Sequence, residues 1–188
     1  MTEEELFRLK TEVVLGKNIN LRLASENDAA FILELRLNPL LNKYIGQTDP
    51  SLEKQKEWIE NSLKKITDFH FIIENKEGKQ YGTVAIYNID YENGTAEWGR
   101  WVIKPGSFVF FPVESAVLVL NFAFTKLGLK KLTGGANNKN IQVVNFHKMY
   151  GAVSSVDETH TWFLFEEQNF IKILKLFKKF HSIQINNK

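Results

Sequence analysis

Cysteine is absent from all 188 residues of this chain. Its absence excludes a disulfide framework, a cysteine nucleophile and a thiolate metal site, and it suits a reducing compartment. No apolar run approaches the roughly 20 residues of a membrane span. The longest such run, over residues 117–124, is broken by Asn121. An excess of one charge is also missing. The 24 Lys and Arg residues stand against 22 Asp and Glu, a net charge of +2, so nothing argues electrostatically for nucleic acid as a partner. The opening Met1-Thr-Glu-Glu-Glu-Leu6 is acidic and has no apolar centre, unlike a secretory signal. These readings place a soluble protein in the cytoplasm. No Gly-x-x-x-x-Gly-Lys-Ser/Thr loop occurs, which argues against a P-loop NTPase, and no Gly-x-Ser-x-Gly marks a hydrolase elbow. His70, His160 and His181 have no ligand spacing among them, so no metal site is indicated.

Hydrophobic residues make up 44% of the chain and 15 residues are Phe, ample for one core. The length suits one domain, read as 18–188, preceded by an arm over 1–17 that is either a turn of helix or a loose segment. Asn18-Ile-Asn-Leu-Arg-Leu23 alternates apolar and polar residues, as a half-buried strand does. Ser25 and Asp28 have capping-box spacing before a helix with Ala29, Ile32, Leu33 and Leu37 on one face, and Asn38-Pro39 ends it. Ser51 caps a second helix striped by Leu52, Gln55, Ile59 and Leu63 and flanked by Trp58. Strands at 69–74 and 80–87 form a hairpin, and Asn93-Gly94 turns the chain into a strand at 95–103. Pro112 suits the first position of a helix, 113–127 is apolar nearly all round, and Gly128 is a fitting stop. A short strand at 130–136, a helix from Asn140 to about Tyr150, a strand at 161–166 and a last helix complete the chain. That last helix carries Phe170, Ile173, Leu174 and Phe177 on one face and lysines elsewhere, a solvated face or else one that touches an acidic surface or a membrane. The order β-αα-βββ-α-β-α-β-α predicts an α/β fold: a mixed, mostly antiparallel sheet with helices on both faces.

Two stretches carry the functional signal. The first is the strand Ala96-Glu-Trp-Gly-Arg-Trp-Val-Ile-Lys-Pro105, which stops at a Pro-Gly turn. The second is the helix Asn140-Ile-Gln-Val-Val-Asn-Phe-His-Lys-Met-Tyr-Gly151, opened by asparagine and closed by glycine. Strand alternation puts Glu97, Gly99, Trp101 and Ile103 on one face and Trp98 and Arg100 on the other. With the element order, these stretches resemble the acetyl-CoA-binding half of a GNAT N-acetyltransferase over residues 18–166. The strand is similar to the Ala-Glu-x-Gly-x-Trp-x-x-x-Pro of the branch that includes ribosomal-protein N-terminal and nucleotide-amino-sugar acetyltransferases.

The resemblance implies acetyl-CoA as co-substrate. Its pantetheine arm would pair with the open edge at Trp101, Val102 and Ile103, where an amide near Val102 would face the developing oxyanion. Its pyrophosphate would meet the amides of Val113, Glu114 and Ser115 at a helix N-terminus. The family's glycine-rich pattern ahead of that helix is replaced by Gly106-Ser-Phe-Val-Phe-Phe-Pro-Val-Glu-Ser115, so the loop is either a remodelled CoA site or an apolar segment over a lost one. Glu97 is the family-like base for the acceptor ammonium, or else a carboxylate paired with Arg22 or Arg100. Arg100 is equally a substrate anion clamp, and Trp58, with Phe108, Phe110 and Phe111, either lines the acceptor pocket or packs in the core. Asn140 matches the asparagine that hydrogen-bonds pantetheine, and it also caps its helix. The family's thiolate-protonating tyrosine falls on His147, with Tyr150 a second acid; the bland reading of His147 is a surface or satisfied side chain. The partner is a small-molecule amine, for which a nucleotide-linked amino sugar is the leading reading, or a protein N-terminus. A non-catalytic GNAT fold is the alternative, and the Phe-rich loop suits a homodimer interface under either.

Overall fold

Strand alternation organises the molecule. In β2 (Ile19–Leu23) the apolar Ile19 and Leu21 are fully buried while the intervening polar side chains are not. The computed structural model describes residues 1–149 and 153–178. Among these, β1 (Val14–Leu15), β2, β3 (Phe69–Asn75), β4 (Gln80–Asp90), β5 (Thr95–Ile103), β6 (Lys131–Asn137), β7 (Val153–Val156) and β8 (His160–Glu166) form one sheet in the order β1-β2-β3-β4-β5-β6-β8-β7. Of these pairings only β5 with β6 is parallel.

One face of the sheet carries the larger core. Leu6 and Leu9 of α1 (Glu3–Leu9), the run from Ala116 to Leu120 in α4 (Phe111–Asn121), Val144 of α5 (Ile141–Met149) and Phe170 and Ile173 of α6 (Glu167–Lys178) pack there on Phe69, Phe71, Trp98 and Phe165. The other face carries a smaller cluster in which Ala29 and Ile32 of α2 (Ala29–Leu37) and Ile59 of α3 (Leu52–Leu63) cover Ile72. Helices on both faces of a mixed sheet are the expected architecture.

The arm read over 1–17 contains α1, whose Thr2 and Glu5 form a reciprocal capping box, and β1, which pairs with β2. The long apolar helix is α-helical only to Asn121 and continues as a π-helical turn over Phe122–Lys126, where Thr125 Oγ1 donates to the Asn121 carbonyl at 2.7 Å.

One expectation is corrected. Alternation does not run unbroken through β5, because a bulge sets two residues, Arg100 and Trp101, against Val84 of β4. Trp101 and Ile103 therefore join Ala96 and Trp98 on the larger core, and the Trp98 and Trp101 rings lie 5.6 Å apart. Arg100, expected beside Trp98, instead faces Asp68, Trp58 and Tyr87 on the α2–α3 side, with Glu97 and Gly99.

Candidate active site

The bulge is held by several contacts. Arg100 adopts φ 48°, a left-handed conformation that costs a residue with a Cβ about 1–3 kcal/mol. Its carbonyl accepts the Thr83 hydroxyl at 2.8 Å, and its Nη1 donates to both carboxylate oxygens of Asp68 at 2.7 and 3.0 Å. The guanidinium stacks 4.2 Å from the Tyr87 ring centre and 4.7 Å from that of Trp58. Bent there, β5 pairs with β6 only over Thr95, Ala96 and Glu97 and then parts from it. Gly134 sits at the parting point, where a Cβ would lie 2.9 Å from the Trp98 carbonyl.

The separation opens a cleft of about 760 Å³. Trp101, Val102, Ile103, Asn140, His147 and Arg100 all line it, so six of the residues singled out in the sequence are brought together. The ladder decides which backbone groups are free. The Lys104 amide donates to the Tyr81 carbonyl at 2.7 Å, and Val102 lies opposite Thr83. Antiparallel alternation then turns the Val102 amide toward β4 and leaves those of Trp101 and Ile103 on the open side. The outward amides near Val102 are thus those of its two neighbours.

At the N-terminus of α4 the donors are few. The Phe111 amide donates to Phe108 and the Glu114 amide to Phe110, each at 2.9 Å, and Pro112 has no N–H. Helical geometry gives the Ser115 amide to Phe111. Of the three amides expected at a pyrophosphate, Val113 alone has no acceptor among the described residues. The buried Glu114 carboxylate turns away and accepts the Asn18 amide and Nδ2, both at 2.8 Å. Ser115 Oγ accepts the Trp101 indole at 3.1 Å and donates to the Pro112 carbonyl at 2.8 Å. In place of a glycine cradle, Phe108 stacks on Phe110, Phe111 meets both edge-on, and Phe111 meets the Tyr81 ring at 4.9 Å.

Asn140 opens α5 through its backbone: the Val144 amide donates to the Asn140 carbonyl at 3.0 Å. Its carboxamide has no hydrogen-bond partner among the described residues and stands on the cleft wall. His147 lies in an aromatic cage, 4.3 Å from the Phe163 ring and 5.0 Å from that of Trp98. Its Nδ1 is buried without a partner among the described residues, and burial pushes its pKa down to about 4. It is therefore neutral at pH 7, and an imidazolium that protonates a thiolate is not available there. Tyr150, the other acid candidate, lies outside the described residues.

Glu97 meets neither arginine. Arg22 is engaged by Asp28 and Glu74, Arg100 by Asp68, and Glu97 accepts Asn88 Nδ2 at 2.9 Å. It is not among the residues lining the cleft, nor is Trp58, which packs edge-on against His70 at 5.3 Å. Glu97 sits directly opposite Tyr87, whose hydroxyl lies over Gly99 on the cleft floor. Sequence reasoning missed Arg36, in the last turn of α2, which also lines the cleft. The only sequence signal was a cation set between the apolar Leu35 and Leu37.

A family model for the acetyltransferase (GNAT) domain matches residues 18–169. Among solved structures, apo FdhC, a nucleotide-linked sugar GNAT, is 28% identical with a TM-score of 0.81, covering 92% of this chain and 99% of its own. The spermidine N-acetyltransferase of Vibrio cholerae, in complex with CoA and spermine, has 19% identity and a TM-score of 0.71, covering 82% of this chain and 98% of its own. A GCN5-related N-acetyltransferase from Brucella melitensis has 16% identity and a TM-score of 0.72, over 90% and 85%. These last two likenesses are of fold. No curated protein sequence matches the chain.

Proposed function

The chain belongs to the GNAT acetyltransferase family, and from that membership we propose that it is an acetyl-CoA-dependent N-acetyltransferase whose acceptor is the amine of a nucleotide-linked amino sugar. Acetyl-CoA supplies a thioester: the acceptor nitrogen bonds to its carbonyl carbon and sheds its second proton, the C–S bond breaks, and CoA leaves as a thiolate that takes up that proton through water. The observation that carries this reading is the parting of β5 from β6, which leaves an unpaired backbone edge at Trp101 and Ile103 beside a free Asn140 carboxamide.

The residues present suit such a ligand in part. The open edge matches the amides of a pantetheine arm. The α4 N-terminus offers one amide, Val113, where the family's loop offers several. The outward Trp101 amide faces the oxyanion. Glu97, acting through water past Gly99, takes the ammonium proton. His147, held neutral, shapes the wall and excludes water. The acceptor reading is supported by the likeness to a nucleotide-linked sugar GNAT. It is also supported by charge: no Asp or Glu is among the described residues lining the cleft, whereas Arg36, Arg100 and Lys139 are. Such a cleft repels a polyamine and attracts a phosphorylated acceptor.

The test is calorimetric titration with acetyl-CoA. Micromolar affinity in the wild type and at least fivefold weaker binding by Asn140→Ala are expected. Glu97→Gln should bind equally well and turn over at least a hundredfold more slowly. No binding at millimolar acetyl-CoA would overturn the reading and favour a GNAT fold without GNAT chemistry. Unchanged turnover in Glu97→Gln would remove the proposed base.

A further inference from the structure

Arg36 is the one arginine of the cleft wall whose charge is not answered within the described residues. Its Nε donates to Thr48 Oγ1 at 2.9 Å, and Thr48 Oγ1 in turn donates to the Gly46 carbonyl at 3.3 Å. No carboxylate of the described residues reaches its other nitrogens. Arg100 nearby has Asp68 at 2.7 Å, and Lys139 is exposed to solvent. Burial lowers the Arg36 pKa, and the repulsion of Arg100 adds to that. A half-buried cation without a counter-charge is costly, and a bound anion offsets that cost. The hydrogen bond to Thr48 fixes the plane of the guanidinium and leaves four N–H donors free in a fork that matches phosphate oxygens. Tyr44, Ile45 and Gly46, from the segment that carries Thr48, line the cleft together with Arg36.

We propose that Arg36, oriented by Thr48, anchors the diphosphate of the acceptor and so selects nucleoside-diphosphate-linked amines over polyamines and neutral amines. This rests on the acetyltransferase reading for the identity of the reaction, though not for the anion site itself. Arg36 is a binding residue and Thr48 a positioning residue.

The experiment uses the full chain saturated with CoA, so that any pyrophosphate pocket at α4 is already filled. UDP and inorganic pyrophosphate are then titrated calorimetrically into the wild type, Arg36→Lys, Arg36→Ala and Thr48→Val. Both probes should bind the wild type. Arg36→Ala should weaken them at least tenfold, Arg36→Lys and Thr48→Val less, and the CoA affinity of every variant should stay within twofold of wild type. Equal UDP affinity in wild type and Arg36→Ala would overturn the proposal. So would parallel loss of CoA and UDP affinity in an Arg36→Lys protein with an unchanged denaturation midpoint, because it would assign Arg36 to the cofactor. Should the chain bind no CoA, the acetyltransferase reading fails separately, and the UDP titrations without CoA still decide the role of Arg36.

Discussion

A single buried hydroxyl, that of Ser115, holds the indole that walls the cleft. It accepts a hydrogen bond from the Trp101 N–H and donates its own to the Pro112 carbonyl, with no solvent exposure. Ser115→Ala leaves the Trp101 N–H unpaired and is expected to cost about 1–3 kcal/mol of unfolding free energy, as measured by urea denaturation. It should also weaken acetyl-CoA binding by loosening the edge that Trp101 presents. A loss below about 0.5 kcal/mol would show that the indole finds another acceptor or water. Both residues stood out in the sequence, one on the strand and one on the helix, but their contact was not legible. Plain alternation sends Trp101 to the wrong side of β5, and only the extra residue at Arg100 brings it round to α4. The partner of Glu97 was illegible for a related reason. Asn88 meets it through a second irregularity in the β4–β5 register, and register shifts leave no mark on composition or spacing.

Under the proposed reading, the element on which cofactor binding turns is the first turn of α4. Its Pro112 was legible as a helix opener, and the structure puts it second, after Phe111. Proline fixes the backbone for the turn but withholds an N–H from the cleft it lines. Pro112→Ala restores that donor beside the free Val113 amide. A hydrogen bond to a charged group contributes about 1.5–3 kcal/mol, and losing the ring's pre-organisation costs about 0.4–1 kcal/mol. Acetyl-CoA is therefore expected to bind about fivefold more tightly to Pro112→Ala, read by calorimetry. Unchanged affinity would show that the pyrophosphate does not reach this turn. Strands and helices with strong alternation or clear caps were legible nearly to the residue, β5 and α2 among them. The bulge in β5, the two-residue β1 and the short β7 were not, because pairing partners rather than local propensity make them.

At the scale of the whole molecule, two buried histidines tie stability to pH. His70 lies under α3 on one face of the sheet and His147 under the aromatic cage on the other. Sequence composition foretold a single large core but not that imidazoles would be sealed inside it: His70 stands in the apolar run from Phe69 to Ile73, yet alternation turns it to the face opposite Phe69 and Phe71, where a polar side chain reads as solvated. Burial lowers His70 from 6.5 to about 3, with Arg100 and Arg36 adding repulsion and Asp28 opposing it, and it lowers His147 to about 4. At pH 7 these groups are largely neutral in both folded and unfolded chains and contribute little to any difference. At pH 5 the unfolded imidazoles have taken up protons while the folded ones have not. The unfolded state then binds more protons, so stability falls as pH drops from about 6.5 toward 4. One pKa unit corresponds to 1.36 kcal/mol, so each histidine removes about 2 kcal/mol between pH 7 and pH 5. Carboxylates such as Asp28, held below the ordinary 3.8 by its hydrogen bonds to Arg22 and Ser25 against the opposing effect of burial, lose their contribution only at lower pH. The acid limb should therefore begin well above the carboxylate range. Guanidinium denaturation at pH 7 and pH 5 reads it directly: the wild type should lose about 4 kcal/mol, and His70→Phe and His147→Phe should each lose about half as much. A double variant that keeps the wild-type loss would assign the acid sensitivity to other groups.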